Sequence, residues 1–201
     1  FRDGEWAGIS LYGENNEISY LDIENAASGI YGQDIDGSVI DNITMDGSGI
    51  DIEDSPNLTI SNNTIDNFGS YGIRFYNCDF SNVSGNHLST NSTNYAIYGQ
   101  AADSSMVENN IISLNSGNGI YIEYSSANYN EIEITEGTND PRGIYRNNAI
   151  AKYNTVYIDG TDSYNSGGIY LSNESSAEHN FITAKGHVWA VTSPGSSSST
   201  R

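Results

Sequence analysis

Apolar residues recur along this chain in short two-residue alternations, not at helical spacing. The dipeptide Gly-Ile, relaxed once to Ala-Ile, opens each alternation at Gly8-Ile9, Gly29-Ile30, Gly49-Ile50, Gly72-Ile73, Ala96-Ile97, Gly119-Ile120, Gly143-Ile144 and Gly168-Ile169. Two residues past the Ile a second apolar side chain often follows, at Leu11, Ile52, Phe75, Ile122 and Leu171, which predicts a short strand with one inward face. The intervals are 21, 20, 23, 24, 23, 24 and 25 residues. A fixed period in this range is the mark of a solenoid, propeller or array.

A second column follows within each repeat as Asn-x-apolar: Asn16, Asn63, Asn86, Asn109, Asn130, Asn154 and Asn180, with Asp41-x-Ile43 as the one departure. Asn tolerates the left-handed backbone of a turn and bonds its own chain locally, and stacked Asn side chains form ladders. Each repeat therefore carries two or three short strands with a Gly corner and an Asn corner. The architecture that satisfies both columns is an all-β right-handed parallel β-helix of about eight rungs of 20–25 residues. At roughly 4.8 Å per rung it forms a rod roughly 40 Å long. A β-sandwich gives regular turns but no reason to repeat one dipeptide at the same point of each. The hexapeptide period of a left-handed β-helix is absent. Ile30-Tyr31-Gly32-Gln33 with Asp36, Ser38 and Asn42 is echoed three rungs on by Ile97-Tyr98-Gly99-Gln100 with Asp103, Ser105 and Asn109, as duplication would leave it. Residues 1–191 read as the repeat domain, with His187–Val191 as a partial ninth rung, and the Ser-rich residues 192–201 as a linker or tail.

Composition agrees with an all-β chain: 24 Ile and 15 Tyr stand against six Leu and two Lys, so helix formers are scarce. Seven Lys+Arg against 26 Asp+Glu give a formal charge of −19 on a chain only 16% charged. Phosphate backbones and anionic lipid would repel it, so neither nucleic acid nor a membrane surface is an expected partner, and no apolar run is long enough for membrane insertion. Cys78 is alone, which excludes an intrachain disulfide and a thiolate metal cluster. The opening Phe1-Arg2-Asp3-Gly4-Glu5-Trp6 reads as a processed form or a piece of a longer protein.

The Gly-Ile-x-apolar starts and Asn-x-apolar corners, spanning residue 6 to about residue 191, resemble the right-handed parallel β-helix repeat proteins of the pectin-lyase-like superfold. They look most like the acidic, Asn-rich extracellular surface and sheath proteins of archaea and bacteria. The resemblance implies the fold but no single activity, because this superfold carries lyases, hydrolases, epimerases, tailspikes, adhesins and structural surface proteins. The chain lacks the Asp-Asp and Gly-His-Gly segments of galacturonan hydrolases, the Trp-Ile-Asp-His-like segment of pectate lyases and the Asp-Pro-His of alginate-type epimerases. No catalytic residue is therefore assigned.

Other chemistry is sparse. Asp34, Asp36, Asp51 and Asp54, with Glu53, form a candidate cluster for a hard cation such as Ca²⁺ or for an acid and nucleophile pair, against a solvated acidic face as the plain alternative; Glu131, Glu133 and Glu136 form a second such cluster. Beyond weak Ca²⁺ stabilisation no cofactor is expected. His87, His179 and His187 share no spacing. Arg146 stands where other repeats have an inward apolar residue, and an early bend at Asn147-Asn148 would turn it out. Tyr98, Tyr121, Tyr145 and Tyr170, with Tyr31 earlier, directly follow the corner Ile, so they face outward as a stacked stripe: a structural ladder, or a platform for carbohydrate or protein. Six sequons at Asn42, Asn57, Asn62, Asn82, Asn91 and Asn173 are candidate glycosylation sites.

Rungs that look regular throughout, with ends that need covering, point to a non-enzymatic extracellular structural protein. It would be a building block of a surface layer, sheath or fibre that self-associates through its rung ends. A carbohydrate-active or carbohydrate-binding β-helix is the alternative.

Overall fold

The computed structural model describes residues 6–137, 140–160, 166–186, 188–192 and 199–200. Strands of three or four residues alternate with sharp corners, and each strand pairs in parallel with its counterpart one turn on. Ile30–Gln33 pairs with Ile50–Glu53, Val39–Asp41 with Thr59–Ser61, and Thr44–Asp46 with Thr64–Asp66. Repetition of this unit builds an all-β solenoid of about seven complete turns with three flanks, close to the eight rungs read from the sequence. Two flanks merge into one sheet because His87–Gln100 and Ile111–Glu123 run continuously around the corner between them. Val188–Thr192 adds to the flank of Ser166–Ser172, and Ser199–Thr200 pairs with Ser176 and Ala177. The rungs are not regular throughout: the register shifts between Ser92 and Tyr95 and between Ile134 and Gly137.

The Gly-Ile signature has a steric cause. A Cβ at Gly29, Gly49, Gly119 or Gly143 would collide with the carbonyl oxygen of the residue one turn along. The Ile that follows points inward, and Ile30, Ile50, Ile73, Ile97, Ile120, Ile144 and Ile169 stack with at most 1% of their surface exposed. Neighbouring core columns compensate each other in size. At Gly99 a side chain would overlap the Phe75 ring one turn back, so the small residue makes room for the large one.

The Asn corner is a hydrogen-bonded ladder. The Nδ2 of Asn63 donates to Asn86 Oδ1 at 2.9 Å, Asn86 to Asn110 at 3.0 Å, Asn110 to Asn130 at 3.0 Å, Asn130 to Asn154 at 3.0 Å and Asn154 to Asn180 at 2.9 Å. Each Nδ2 also donates to a backbone carbonyl of the preceding turn, as Asn110 does to Val83 O at 3.0 Å. Each Oδ1 in addition accepts a backbone N–H, as Asn110 Oδ1 does from Asn86 at 2.9 Å. Three sequence assignments shift here. The ladder residue of the fourth corner is Asn110, not Asn109: Asn109 takes the left-handed backbone, φ 57°, and faces solvent, which leaves its neighbour to point inward. Asn16 belongs to a different corner, where its N–H donates to Ser38 Oγ at 2.9 Å. Ser81, Ser105 and Ser175 cap rungs there in the same way. Ile43, not Asp41, occupies the ladder position of its rung, and its N–H donates to Asn63 Oδ1 at 2.9 Å.

Arg146 does not turn out. Arg142–Asn147 is an unbroken strand in register with Ile122 before it and Leu171 after it, and the guanidinium is fully buried. It reaches across the core, where Nη1 donates to Ser176 O. Space for it comes from the facing wall, where Ile40, Ile60, Val83 and Val107 give way to Ala127, Ala151 and Ala177 in successive turns. Nε and Nη2 have no hydrogen-bond partner, and desolvation lowers the guanidinium pKa to about 9.

Candidate functional site

The outward position after each corner Ile forms one column down a flank. In order it reads Tyr31, Asp51, Arg74, Tyr98, Tyr121, Tyr145 and Tyr170. The parallel register that stacks the Ile inside must stack these side chains outside at the rung repeat. Ring centroids of Tyr98 and Tyr121 lie 4.8 Å apart and nearly parallel, at 16°. Tyr121 to Tyr145 is 5.0 Å and Tyr145 to Tyr170 4.9 Å, both edge to face, an arrangement the ring quadrupole favours. All four rings are half-buried.

A second column, two residues before each Ile, widens the stripe. Tyr71 packs 5.1 Å from Tyr98, and Tyr95 lies 5.4 Å from Tyr98 and 5.5 Å from Tyr121. Further along, the Arg142 guanidinium sits over the rings of Tyr145 and Tyr170 at 4.7 Å and 4.5 Å. On the opposite edge, Tyr98 Oη donates to Gln100 Oε1 at 2.7 Å and Tyr121 Oη to Glu123. Burial first, and the neighbouring phenols and Glu123 after it, push the Tyr98 and Tyr121 phenols above their ordinary pKa, so both stay neutral donors near neutral pH.

Toward the N-terminus the same column becomes ionic. Arg74 is clasped between Asp51 and Glu53, with Nη2 2.6 Å from Glu53 Oε1. Burial raises the Asp51 carboxyl above the usual range by more than Arg74 lowers it. Above this triad lies a pocket of about 240 Å³, lined by Ala27, Ser28, Gly47–Asp51 and Gly69–Tyr71. A polar groove of about 330 Å³ on the adjoining flank is lined by Asn67, Ser89–Asn91, Ser113–Asn115, Glu133 and Thr135.

The candidate cation cluster is not assembled. Asp51 turns to Arg74, Asp54 accepts from Gln33 at 3.1 Å and Asn77 at 2.8 Å, Asp34 occupies the position of Asp54 one rung back, and Asp36 lies two residues further along the corner. Among the described residues no three His, Cys, Asp or Glu side chains come together to hold a metal ion. Glu131, Glu133 and Glu136 are exposed. Cys78 is buried, and desolvation pushes its thiol up to about 12, so it is an inert core residue. His87 is exposed, His179 stacks on Tyr153 at 5.2 Å, and His187 lies outside the described residues. Of the sequons, Asn42, Asn57, Asn62, Asn91 and Asn173 are exposed and Asn82 is half-buried. The Nδ2 of Asn62 is engaged by Asp41 at 2.8 Å.

The Tyr column was legible in the sequence; Tyr71, Tyr95, Arg142 and the Asp51–Arg74–Glu53 triad were not singled out as its neighbours. The missed signal is positional. Tyr71, Tyr95 and Arg142 each directly precede the corner Gly or Ala.

The family described as right-handed β-helix region matches residues 2–197. The chain belongs to that family. No curated protein matches this β-helix in sequence. Its solenoid is similar to the crystal structure of PfbA, a surface adhesin of Streptococcus pneumoniae, with a TM-score of 0.50 at 12% identity over 94% of this chain and 73% of that one. At that identity the likeness concerns the fold.

Proposed function

We propose that this β-helix is a non-enzymatic, extracellular structural protein of the cell surface whose working face is the tyrosine flank, and that this face holds carbohydrate. The observation that carries the reading is the unbroken run of four Tyr rings 4.8–5.0 Å apart, widened by Tyr71 and Tyr95. Such a surface gives a sugar chain apolar ring faces along its length and hydroxyls at its edges. Glycosylation at the exposed sequons and a surface location fit the same reading, and a surface adhesin with this fold is compatible with it. Side-to-side sticking is opposed by the charge of −19. Association through rung ends is proposed with it, on the ground that every turn already pairs with the next in parallel register.

The test is affinity electrophoresis of the purified chain in gels containing soluble neutral and acidic polysaccharides. Retention is expected, and Tyr121→Ala and Tyr145→Ala should each weaken it about tenfold, about 1.4 kcal/mol per lost ring contact. Tyr153→Ala, on a different corner, should leave it unchanged. Retention that ignores the flank variants would overturn the binding face. Release of shortened sugar products would overturn the non-enzymatic reading.

A further inference from the structure

The tyrosine stripe ends at the 240 Å³ pocket, and the pocket is where the fold changes its corners. Only residues 47–49 separate Asp46 from Ile50, and only residues 67–70 separate Asp66 from Tyr71. In the next two turns the strands His87–Gln100 and Ile111–Glu123 instead run continuously around this corner, so extended chain replaces a tight turn. A hollow is left at the step. Its far wall is Tyr71, whose ring packs 5.1 Å from Tyr98 and so joins the hollow to the stripe.

The lining is built for hydrogen bonding to a small hydroxylated molecule. Ser48 is 6% exposed, lines the pocket, and its Oγ has no hydrogen-bond partner. A buried hydroxyl left unpaired destabilises the fold, and a small rotation of the Ser48 side chain would present it to a ligand hydroxyl entering the pocket. Asp51 adds a carboxylate held in place by Arg74, an acceptor for further hydroxyls. Gly47, Gly49 and Gly69 keep the floor bare, and the Tyr71 ring gives an apolar wall. With Asp51 and Glu53 against the single charge of Arg74, the local balance is negative, so a carboxylated or sulfated sugar would be repelled.

We infer that this pocket is an end-recognition subsite, which takes the terminal, uncharged hexose of a glycan whose following residues lie along Tyr98 to Tyr170. The inference deepens the carbohydrate reading of the flank and rests on it for the path of the chain, though the pocket is tested by itself. Two substitutions separate binding from folding. Gly69 lines the pocket and has nothing within 4 Å of the position a Cβ would take, so Gly69→Leu adds bulk at the pocket from an open position. Ser48→Ala removes a hydroxyl that satisfies nothing in the fold, so stability should hold or rise.

The probes are free galactose, glucose, mannose and galacturonic acid, followed by saturation-transfer NMR on the wild type and both variants. At least one neutral hexose should give a saturable signal, with galacturonic acid at least tenfold weaker. Gly69→Leu and Ser48→Ala should each cut the hexose signal at least tenfold with unchanged unfolding midpoints, while Tyr153→Ala, on a different corner and outside the flank, leaves it unaltered. Absence of any hexose signal, equal binding of galacturonic acid, or indifference to Gly69→Leu overturns the subsite. Polysaccharide retention that depends on Tyr121 would then leave the flank reading standing. Hexose binding in the pocket with no polysaccharide retention keeps the subsite and removes the extended face.

Discussion

The early and late turns of the solenoid solve one geometric problem with different side chains. Up to Arg74 the outward flank column is mixed and ends in ions, and the corner that becomes the Asn ladder is still apolar at Ile43. From Asn63 and Tyr98 onward the same two columns become an amide ladder and an aromatic stripe, while the inner wall shrinks from Ile to Ala. The strands and register hardly change. Because each rung contacts only its neighbours, a column can switch chemistry at any turn provided the residues above and below accept it. The late turns therefore hold many polar groups that satisfy one another, and the early turns rely on packing.

The contrast is broken most severely in the ladder. Asn110→Ala would strip a donor from Val83 O and from Asn130 Oδ1, and an acceptor from the backbone N–H and the side-chain amide of Asn86, all in a buried network. A loss of about 3 kcal/mol or more in urea unfolding is expected. Asn109→Gly, one residue away but exposed and left-handed, should change stability by under about 0.5 kcal/mol. Equal losses would mean the ladder does not hold the late turns together.

Asn109 and Asn110 also show why the sequence was readable in columns but not always in register. The Gly-Ile column could be found from sequence because backbone approach between turns admits almost nothing else. An Asn doublet gives no such guide, since either residue fits Asn-x-apolar: Asn109-x-Ile111 and Asn110-x-Ile112 are both present. Which one points inward depends on which takes the positive φ. Asn16 was assigned to the wrong corner for a related reason, because a Ser corner and an Asn corner leave similar local patterns. Tyr71, Tyr95, Arg74 and Arg142 became a single surface only once turns 20–25 residues apart were laid side by side.

Arg146 sharpens the contrast from the other direction, as a buried late-turn group whose Nη1 is hydrogen-bonded while Nε and Nη2 are not. Burial argued for an outward turn, yet the Ala wall at Ala127, Ala151 and Ala177 lets the side chain stay inside at an energetic cost. Arg146→Leu should stabilise the fold by about 2 kcal/mol, as replacing buried charges by apolar residues often does. The effect has a pH signature. The folded pKa of about 9 lies below that of the free group, so between the two the unfolded chain binds more protons and this residue's contribution to stability rises with pH. The advantage of Arg146→Leu over wild type should therefore be full below about pH 9 and shrink above it. Urea midpoints for both proteins across that range check it, and an advantage independent of pH would mean that Arg146 carries its charge at no cost.

The smallest effect belongs to the early turns. Asp41 accepts from Ser61 at 2.7 Å and from Asn62 at 2.8 Å across the rung, and also from Asn42 beside it. The Ser61 and Asn62 bonds, the largest causes, hold its carboxyl below the usual carboxylate range. A depressed acid stabilises the fold above its unfolded pKa of about 3.9 and loses that contribution as pH falls through the folded value. Because this clasp is on the surface, its worth is a few tenths of a kcal/mol at most. Asp41→Asn should lower the unfolding midpoint slightly at pH 6, and the difference should vanish at the acid end of the titration. Acid sensitivity that is unchanged in Asp41→Asn would assign the acid response of the early turns to other carboxylates.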